Sequence, residues 1–504
     1  MSRTKKFFYN SMTTAFYQIL VMVAGFITPR VMLVYYGSEI NGLISSINQF
    51  IVYFNLVEAG LSGAAIYALY KPLADNNHKA INGVVSAAKK FYIQSGYIFV
   101  SLTIGLAVLY PLYVKSDAVT SLNIGLIVLI LGVNGALEFF TLAKYRVLLS
   151  ADQRTYVLSL ASIVHIVVNT LIIVVLASQR VDIVVLRFVA LFSIFLRSFI
   201  LMFYVKVKYE YINYKEKPNF AALNKRWDAL YLQILGAIHS GAPIVILTVI
   251  TKNLKLVSVY AIFNMVIAGL NGILRIFISG LSASFGDVIA RGEKEVLQKA
   301  YKEFELFYYS LIIVVYSVAF VTIMPFIRIY TSGITDINYD LPFIGFLFVL
   351  NGLLHNLKTP QGMLVISAGL FKETKLQTTI QGAIAVIGGL LLSPFFGIAG
   401  VLVGSILSNI YRDIDLLFFI PRNVTNLPVR KTAYRIIRGF ICIGIIWIPF
   451  LYIELDPSGY IHWFFNASLV GVYAVMVIAL NGFIFDRDEM FGLLKRIKRM
   501  VARK

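Results

Sequence analysis

Apolar residues recur along this chain in runs long enough to cross a bilayer, separated by short polar segments. Windows of about 20 apolar residues, the length a spanning helix needs, predict about 14 helices. They fall near 8–35, 42–70, 91–114, 121–147, 156–177, 182–205, 230–251, 256–288, 303–329, 340–369, 377–393, 397–420, 436–454 and 462–485. The stretch 377–393 is short and rich in glycine. Several others exceed 25 residues and must tilt, bend or project into water. Long unbroken runs exclude a β-barrel, whose strands would alternate over short segments.

Some predicted spans carry polar residues in register. In "NGLISSINQFIVYFNLVEAG", Asn41, Ser45, Asn48, Asn55 and Glu58 are spaced 4, 3, 7 and 3, one stripe on a helix of 3.6 residues per turn. The span 256–288 repeats the pattern with Asn264, Asn271, Arg275 and Ser282. Amides along one face can bond across helices as packing glue. Two matching stripes, one holding Glu58 and the other Arg275, are read instead as the lining of a wet cavity. Charged residues inside spans face a cavity or each other rather than lipid. The others are Arg30, Glu138, Arg187, Arg197, His239, His355, Lys358, Arg412, Asp413 and Asp415. Glu138, Arg197 and the Arg412 group can snorkel or pair. Arg187 is near an external end, where snorkelling would carry its head to the interface. The turns "LADNNH" and "SADQR" have the composition of chain reversals.

The loops orient the chain. One alternate set, with the two termini, holds about 34 of the 45 lysines and arginines against about five in the other. Both termini are therefore expected on the cytoplasmic side. The tail "LLKRIKRMVARK" reads as an amphipathic end on anionic lipid. The net charge of +20 is thus a property of membrane-facing loops and does not point to nucleic acid.

Three weak similarities recur at offsets of 214 to 220 residues. "EAGLSGA" (58–64) matches "ISGLSAS" (278–284), Pro29 matches Pro243, and "VLLSADQRTY" (147–156) matches "LVISAGLFKET" (364–374). Six helices lie between partners, so the copies are parallel repeats with a cavity expected between them. The expected divisions are 1–212 for helices 1–6, 213–430 for helices 7–12, and 431–504 for two extra helices and a basic tail. Pro29 and Pro243 are candidate hinges, since proline removes a helical hydrogen bond.

Composition agrees with an all-α polytopic membrane protein: 59% hydrophobic and 14% charged, against about a quarter charged in soluble domains. The single cysteine, Cys442, excludes an intramolecular disulfide and reads as a small buried residue. No glycine-rich phosphate loop, DxD or HExxH motif appears, so neither direct use of ATP nor a catalytic centre is expected. Arg30, Arg275 and Lys358, with His239, leave the expected cavity positive even beside Glu58. Such a cavity suits an anionic head group, and Asn48, Asn55 and Asn271 suit sugar hydroxyls.

The first 90 residues, with "ITPRVMLVYYGSEINGLISSINQFIVYFNLVEAGLSGAAIYALYKPLA", resemble the start of Wzx-type polysaccharide repeat-unit flippases. These belong to the MATE-like superfamily of multidrug, oligosaccharidyl-lipid and polysaccharide exporters. The resemblance implies two six-helix bundles around a V-shaped cavity plus two helices that can hold a lipid tail. It implies transport of an undecaprenyl-pyrophosphate-linked oligosaccharide to the outer leaflet of a bacterial plasma membrane, for capsule, O-antigen or exopolysaccharide. Arg30 and Arg275 match, by helix, cavity arginines of related lipid II flippases. The implied partners are membrane lipids, a polysaccharide polymerase and glycosyltransferases, with the protein acting as a monomer. It implies no cofactor; a coupling ion, Na⁺ or H⁺, stays open. A drug or cation antiporter of the same fold would carry an acid in helix 1, where this chain has Arg30. A membrane polymerase or glycosyltransferase would need a large external loop or an acidic cluster, and neither is visible.

Overall fold

A computed structural model describes residues 3–220, 226–278, 281–453 and 455–502. Among these residues the structure is helical, with no strand. Ten helical segments among the described residues are long and apolar enough to cross a membrane. The chain divides into two compact units, Met1–Ala261 and Ile262–Lys504.

In the first unit, α1 (Arg3–Phe54) holds the first two expected spans. Its helical dihedrals run through Pro29 and break at Gly37, where φ is 81°. That left-handed value is open to glycine at little cost. A 3₁₀ turn (Asn55–Glu58) and Gly60 at φ 77° lead into α2 (Leu61–Ala74). The predicted helix 42–70 is therefore two helices with a break at 55–60, and the polar stripe does not run unbroken to Glu58. The unit continues with α3 (His78–Tyr113), α4 (Ser121–Leu137), a π turn (Glu138–Leu142), α5 (Ala143–Ala151), α6 (Thr155–Ser178), α7 (Ile183–Ala190), α8 (Phe192–Lys208), α9 (Arg226–Thr251) and the start of α10 (Leu254–Ile278). Side chains close three of the helix starts: Asn77 on α3, Thr120 on α4 and Asp182 on α7. Asn77 in "LADNNH" thus has the expected turn role.

α1 packs against α6 and α9, and α3 against α4. Small and hydroxylated residues set the close approaches. A Cβ on Gly42 would come 1.8 Å from the Leu254 carbonyl oxygen. Buried Ser46 Oγ receives hydrogen bonds from Tyr110 (2.9 Å) and Thr248 (2.8 Å), and Asn41 donates to Ser258 at 2.8 Å. So part of the polar content of α1 is interhelical glue.

"SADQR" does more than turn the chain. Asp152 lies just past the span that ends at Ala151 and gathers Lys6 (2.9 Å), Arg154 (2.6 Å) and the Tyr209 hydroxyl. Burial pushes its carboxyl up, but the Tyr209 and Lys6 hydrogen bonds and the Arg154 charge outweigh burial and hold it below its ordinary value. One carboxylate thereby ties the start of α1 to the α5–α6 junction and the end of α8.

The second unit runs from the rest of α10 through α11 (Leu281–Ala290), α12 (Lys294–Tyr330), α13 (Pro342–Leu357), α14 (Thr359–Ser367), α15 (Lys375–Phe396) and α16 (Ile398–Ile420). A π turn (Pro421–Thr425) then leads to α17 (Val429–Trp447), α18 (Tyr460–Phe485) and α19 (Arg487–Ala502). The glycine-rich 377–393 forms the middle of α15. A Cβ on Gly404 of α16 would lie 2.6 Å from Gly389 N, so the glycines let α15 and α16 meet backbone to backbone. Cys442 is buried, as expected.

Both "GLS" motifs sit where a long helix stops and a short one begins: α1 to α2, and α10 to α11 (Ser279 and Gly280 lie outside the described residues). The "SADQR" and "SAGLF" motifs occupy the α5–α6 and α14–α15 junctions.

At one end of α12, buried Arg435 of α17 binds Glu305 (2.8 Å) and Asp486 (2.6 Å), with Glu489 at 3.5 Å. Arg438 adds to Asp486, Lys431 to Glu489, and the Thr432 hydroxyl donates to Glu305 at 2.9 Å. Burial again pushes Asp486 up, and the Arg435 hydrogen bond and charge, then Arg438, hold it below its usual value. These contacts fasten α17, α18 and α19 to α12. The predicted span 436–454 begins one residue after Arg435, whereas α17 starts at Val429.

Candidate functional site

The polar stripe of α1 divides in two. Asn41, Ser45 and Asn48 line a pocket of about 320 Å³ within the first unit. Pro29, Thr28 and Met32 form one wall, Asn169 and Thr170 of α6 another, and Arg187 of α7 a third. Gly37 breaks α1, and residues from both of its halves line the one cavity. Asn48 is exposed in it. Arg187 is only 8% exposed, which overturns the expectation that it snorkels to an interface.

Asn55 and Glu58 leave this stripe. Asn55 is exposed on the 3₁₀ turn. Glu58 accepts both of its hydrogen bonds from Arg146 Nη2, at 2.6 and 2.7 Å, and Arg146 Nη1 reaches Glu138 Oε1 at 3.0 Å. Arg197 lies 4.0 Å from Glu138. Arg146, at the end of the predicted span 121–147, stands half-buried on α5. Glu138 and Arg146 are eight residues apart, a poor match to two turns of α-helix. The π turn at 138–142 absorbs one residue, which brings the two onto one face.

In the second unit, Asn271 Oδ1 accepts from Tyr316 (2.9 Å) and from Asn356 Nδ2 (2.7 Å). Asn356 also donates to the Tyr316 hydroxyl. Asn271 is thus the acceptor of a connected polar network across α10, α12 and α13. Lys358, at the α13–α14 junction, donates to Asn409, whose amide donates to Asn351 at 2.9 Å. The Asp413 oxygens are buried without a hydrogen-bond partner, and Arg412 pairs with Asp415.

Arg30 is half-buried on α1, and Arg275 is exposed on α10. His239 falls on α9, with its side chain outside the described residues, and Pro243 lies within α9. Within the first unit the structure joins Asn48 and Pro29 to one pocket and sends Glu58 to another cluster. Among the described residues no group of histidines, cysteines and carboxylates could hold a metal ion.

The helical fold is similar to that of several solved membrane transporters. One similar structure is an inward-facing multidrug resistance MATE family transporter: TM-score 0.67, 14% identity, covering 82% of this chain and 96% of that one. Another is the lipid II flippase MurJ in an inward closed conformation: TM-score 0.64, 15% identity, covering 95% of this chain and 99% of that one. A third is a MOP superfamily transporter from Pyrococcus furiosus, described as having a binding pocket of reverse polarity (TM-score 0.54, 13% identity, 80% and 95% covered). No protein family model and no curated protein sequence matches the chain.

Proposed function

We propose that the protein is a flippase that carries an undecaprenyl-pyrophosphate-linked oligosaccharide from the inner to the outer leaflet of the plasma membrane by alternating access. The observation that carries this reading is the extent of the structural likeness. The lipid II flippase accounts for 95% of the chain, where the multidrug transporter accounts for 82%. The multidrug transporter has the slightly higher TM-score, but over less of the chain. Extent is the better discriminator, because α17 and α18 need a counterpart too.

The charges support an anionic head group. Glu58, Glu138 and Asp415 are each engaged by arginine, so they add little negative potential for a cationic drug. Arg30 and Arg275 are the residues proposed to hold the pyrophosphate. Asn48, Asn55 and Asn271 are proposed to meet sugar hydroxyls, with Lys358 and His239 as further polar contacts. Glu58 is proposed as an arginine clamp that positions α1 rather than as a coupling acid, since one carboxylate is a sparse cation site.

The test is reconstitution into liposomes with a fluorescent undecaprenyl-pyrophosphate oligosaccharide and, separately, a cationic dye. The reading predicts fast exchange of the glycan between leaflets and no uptake of dye. Dye uptake driven by an ion gradient, with an immobile glycan, would establish the antiporter instead.

A further inference from the structure

Arg187 is an unusual arginine for a membrane interior. Among the described residues it forms no ion pair. Its Nη2 reaches only the Met32 sulfur, at 3.4 Å, and its Nε has no hydrogen-bond partner. Asp182, near it in sequence, caps α7 by accepting from the Val184 and Val185 amides. The Tyr36 hydroxyl donates to the Val181 carbonyl at 2.6 Å. A guanidinium buried this deeply without an acceptor is costly, and such a group persists where something else completes its hydrogen bonds.

The pocket that Arg187 lines supplies the space. It holds about 320 Å³, roughly ten water volumes. Its other polar walls are amides and hydroxyls, with Thr170 Oγ1 also buried and unpartnered. No carboxylate lines it. A cation ringed by amides and hydroxyls recognises an oxyanion carried on a hydroxyl-rich body. We infer that this pocket of the first unit is an oxyanion-binding site centred on Arg187, with room for one sugar acid or phosphorylated group. The guanidinium binds the anion, and Asn48, Asn169 and Thr170 bond the neighbouring hydroxyls. The site goes beyond the flippase reading and does not depend on it. Binding to the isolated protein needs no transport, so either conclusion can fail while the other stands.

The test uses the full-length protein in lipid nanodiscs and reads its unfolding temperature against sodium glucuronate, sodium phosphate and neutral glucose at equal ionic strength. One of the two anions raises the unfolding temperature while glucose does not. A larger response to glucuronate identifies a carboxylate, and a larger response to phosphate a phosphoryl group. Arg187→Met abolishes the response without lowering the unfolding temperature of the unliganded protein, because it removes an unpaired buried charge. Arg187→Lys keeps part of the response. A second measurement reads the potential of the pocket directly. On a Cys442→Ala background, Asn48→Cys is labelled by an anionic methanethiosulfonate about tenfold faster than by a cationic one, after correction for their rates with free thiol, and Arg187→Met removes that preference. Equal labelling by the two reagents, an equal response to glucose, or an undiminished anion response in Arg187→Met overturns the proposal.

Discussion

Replacing Arg435 by methionine tests how the two C-terminal transmembrane helices are held. Arg435 and Glu305 each expose only 3% of their side chains. Asp486 would keep Arg438, and Glu489 would keep Lys431. Glu305 would keep the Thr432 and Tyr301 hydroxyls but no cation, so the substitution strands one buried carboxylate. Stranding a buried charge costs about 3–5 kcal/mol. Replacing the whole pair costs far less, because the desolvation of both ions disappears with them. Arg435→Met should therefore destabilise the protein by about 3–5 kcal/mol. Adding Glu305→Gln should recover most of that loss, since a neutral amide can still accept from Thr432. Arg430 is exposed and touches only Tyr434 in the same helix. Arg430→Met should cost within about 0.5 kcal/mol, as for most surface changes. The assay is thermal and denaturant unfolding of the purified protein in one detergent, comparing the four proteins. If Arg435→Met costs no more than Arg430→Met, or if the double variant is as unstable as the single, the ion cluster does not hold α17 to α12.

Three further outcomes follow from named contacts. The carboxyls of Asp152 and Asp486 are held below their ordinary value in the fold, so each contributes stability that is complete above the unfolded carboxylate range and lost as pH falls through the depressed folded value; the unfolding temperature should fall in acid, and Asp152→Asn and Asp486→Asn should flatten that fall. A double-mutant cycle on Glu58→Gln and Arg146→Met should give a coupling of about 1–3 kcal/mol, between surface and buried pairs because both side chains are partly exposed, and a coupling near zero would reject the clamp. Gly404→Val should destabilise by about 1–3 kcal/mol, since its Cβ meets the Gly389 backbone, whereas Gly471→Ala, whose Cβ meets only Val318 at 3.8 Å, should unfold near the unaltered temperature.

Hydrophobic run length was enough to mark the helical stretches, because lipid requires long apolar segments whatever their packing, but it did not show the breaks inside 42–70, 182–205, 256–288 and 340–369. The short α15 was legible for the same reason, although the purpose of its glycines was not. What the sequence hid depends on local breaks in helical register. The stripe from Asn41 to Glu58 has the spacing of one helix, yet the left-handed Gly60 and the 3₁₀ turn before it detach its last two members. The pairing of Arg146 with Glu138 was hidden because the π turn that aligns them has no composition of its own. Arg187 sits close enough to a span end to reach the interface, and only the structure shows that it lines a pocket. Asp152 and Arg435 lay in segments read as turn and loop, where charge clusters across distant helices leave no periodic trace.

The central claim is that the transported group is an anionic lipid-linked glycan. The most direct measurement compares leaflet exchange, in liposomes, of one oligosaccharide carried on undecaprenyl pyrophosphate or on a neutral polyprenol, by the unaltered protein and by Arg30→Ala and Arg275→Ala. The account predicts rapid exchange of the pyrophosphate-linked glycan alone, and its loss in both variants although each inserts and folds. Equal exchange of the neutral-linked glycan, or unchanged exchange in both variants, would contradict it.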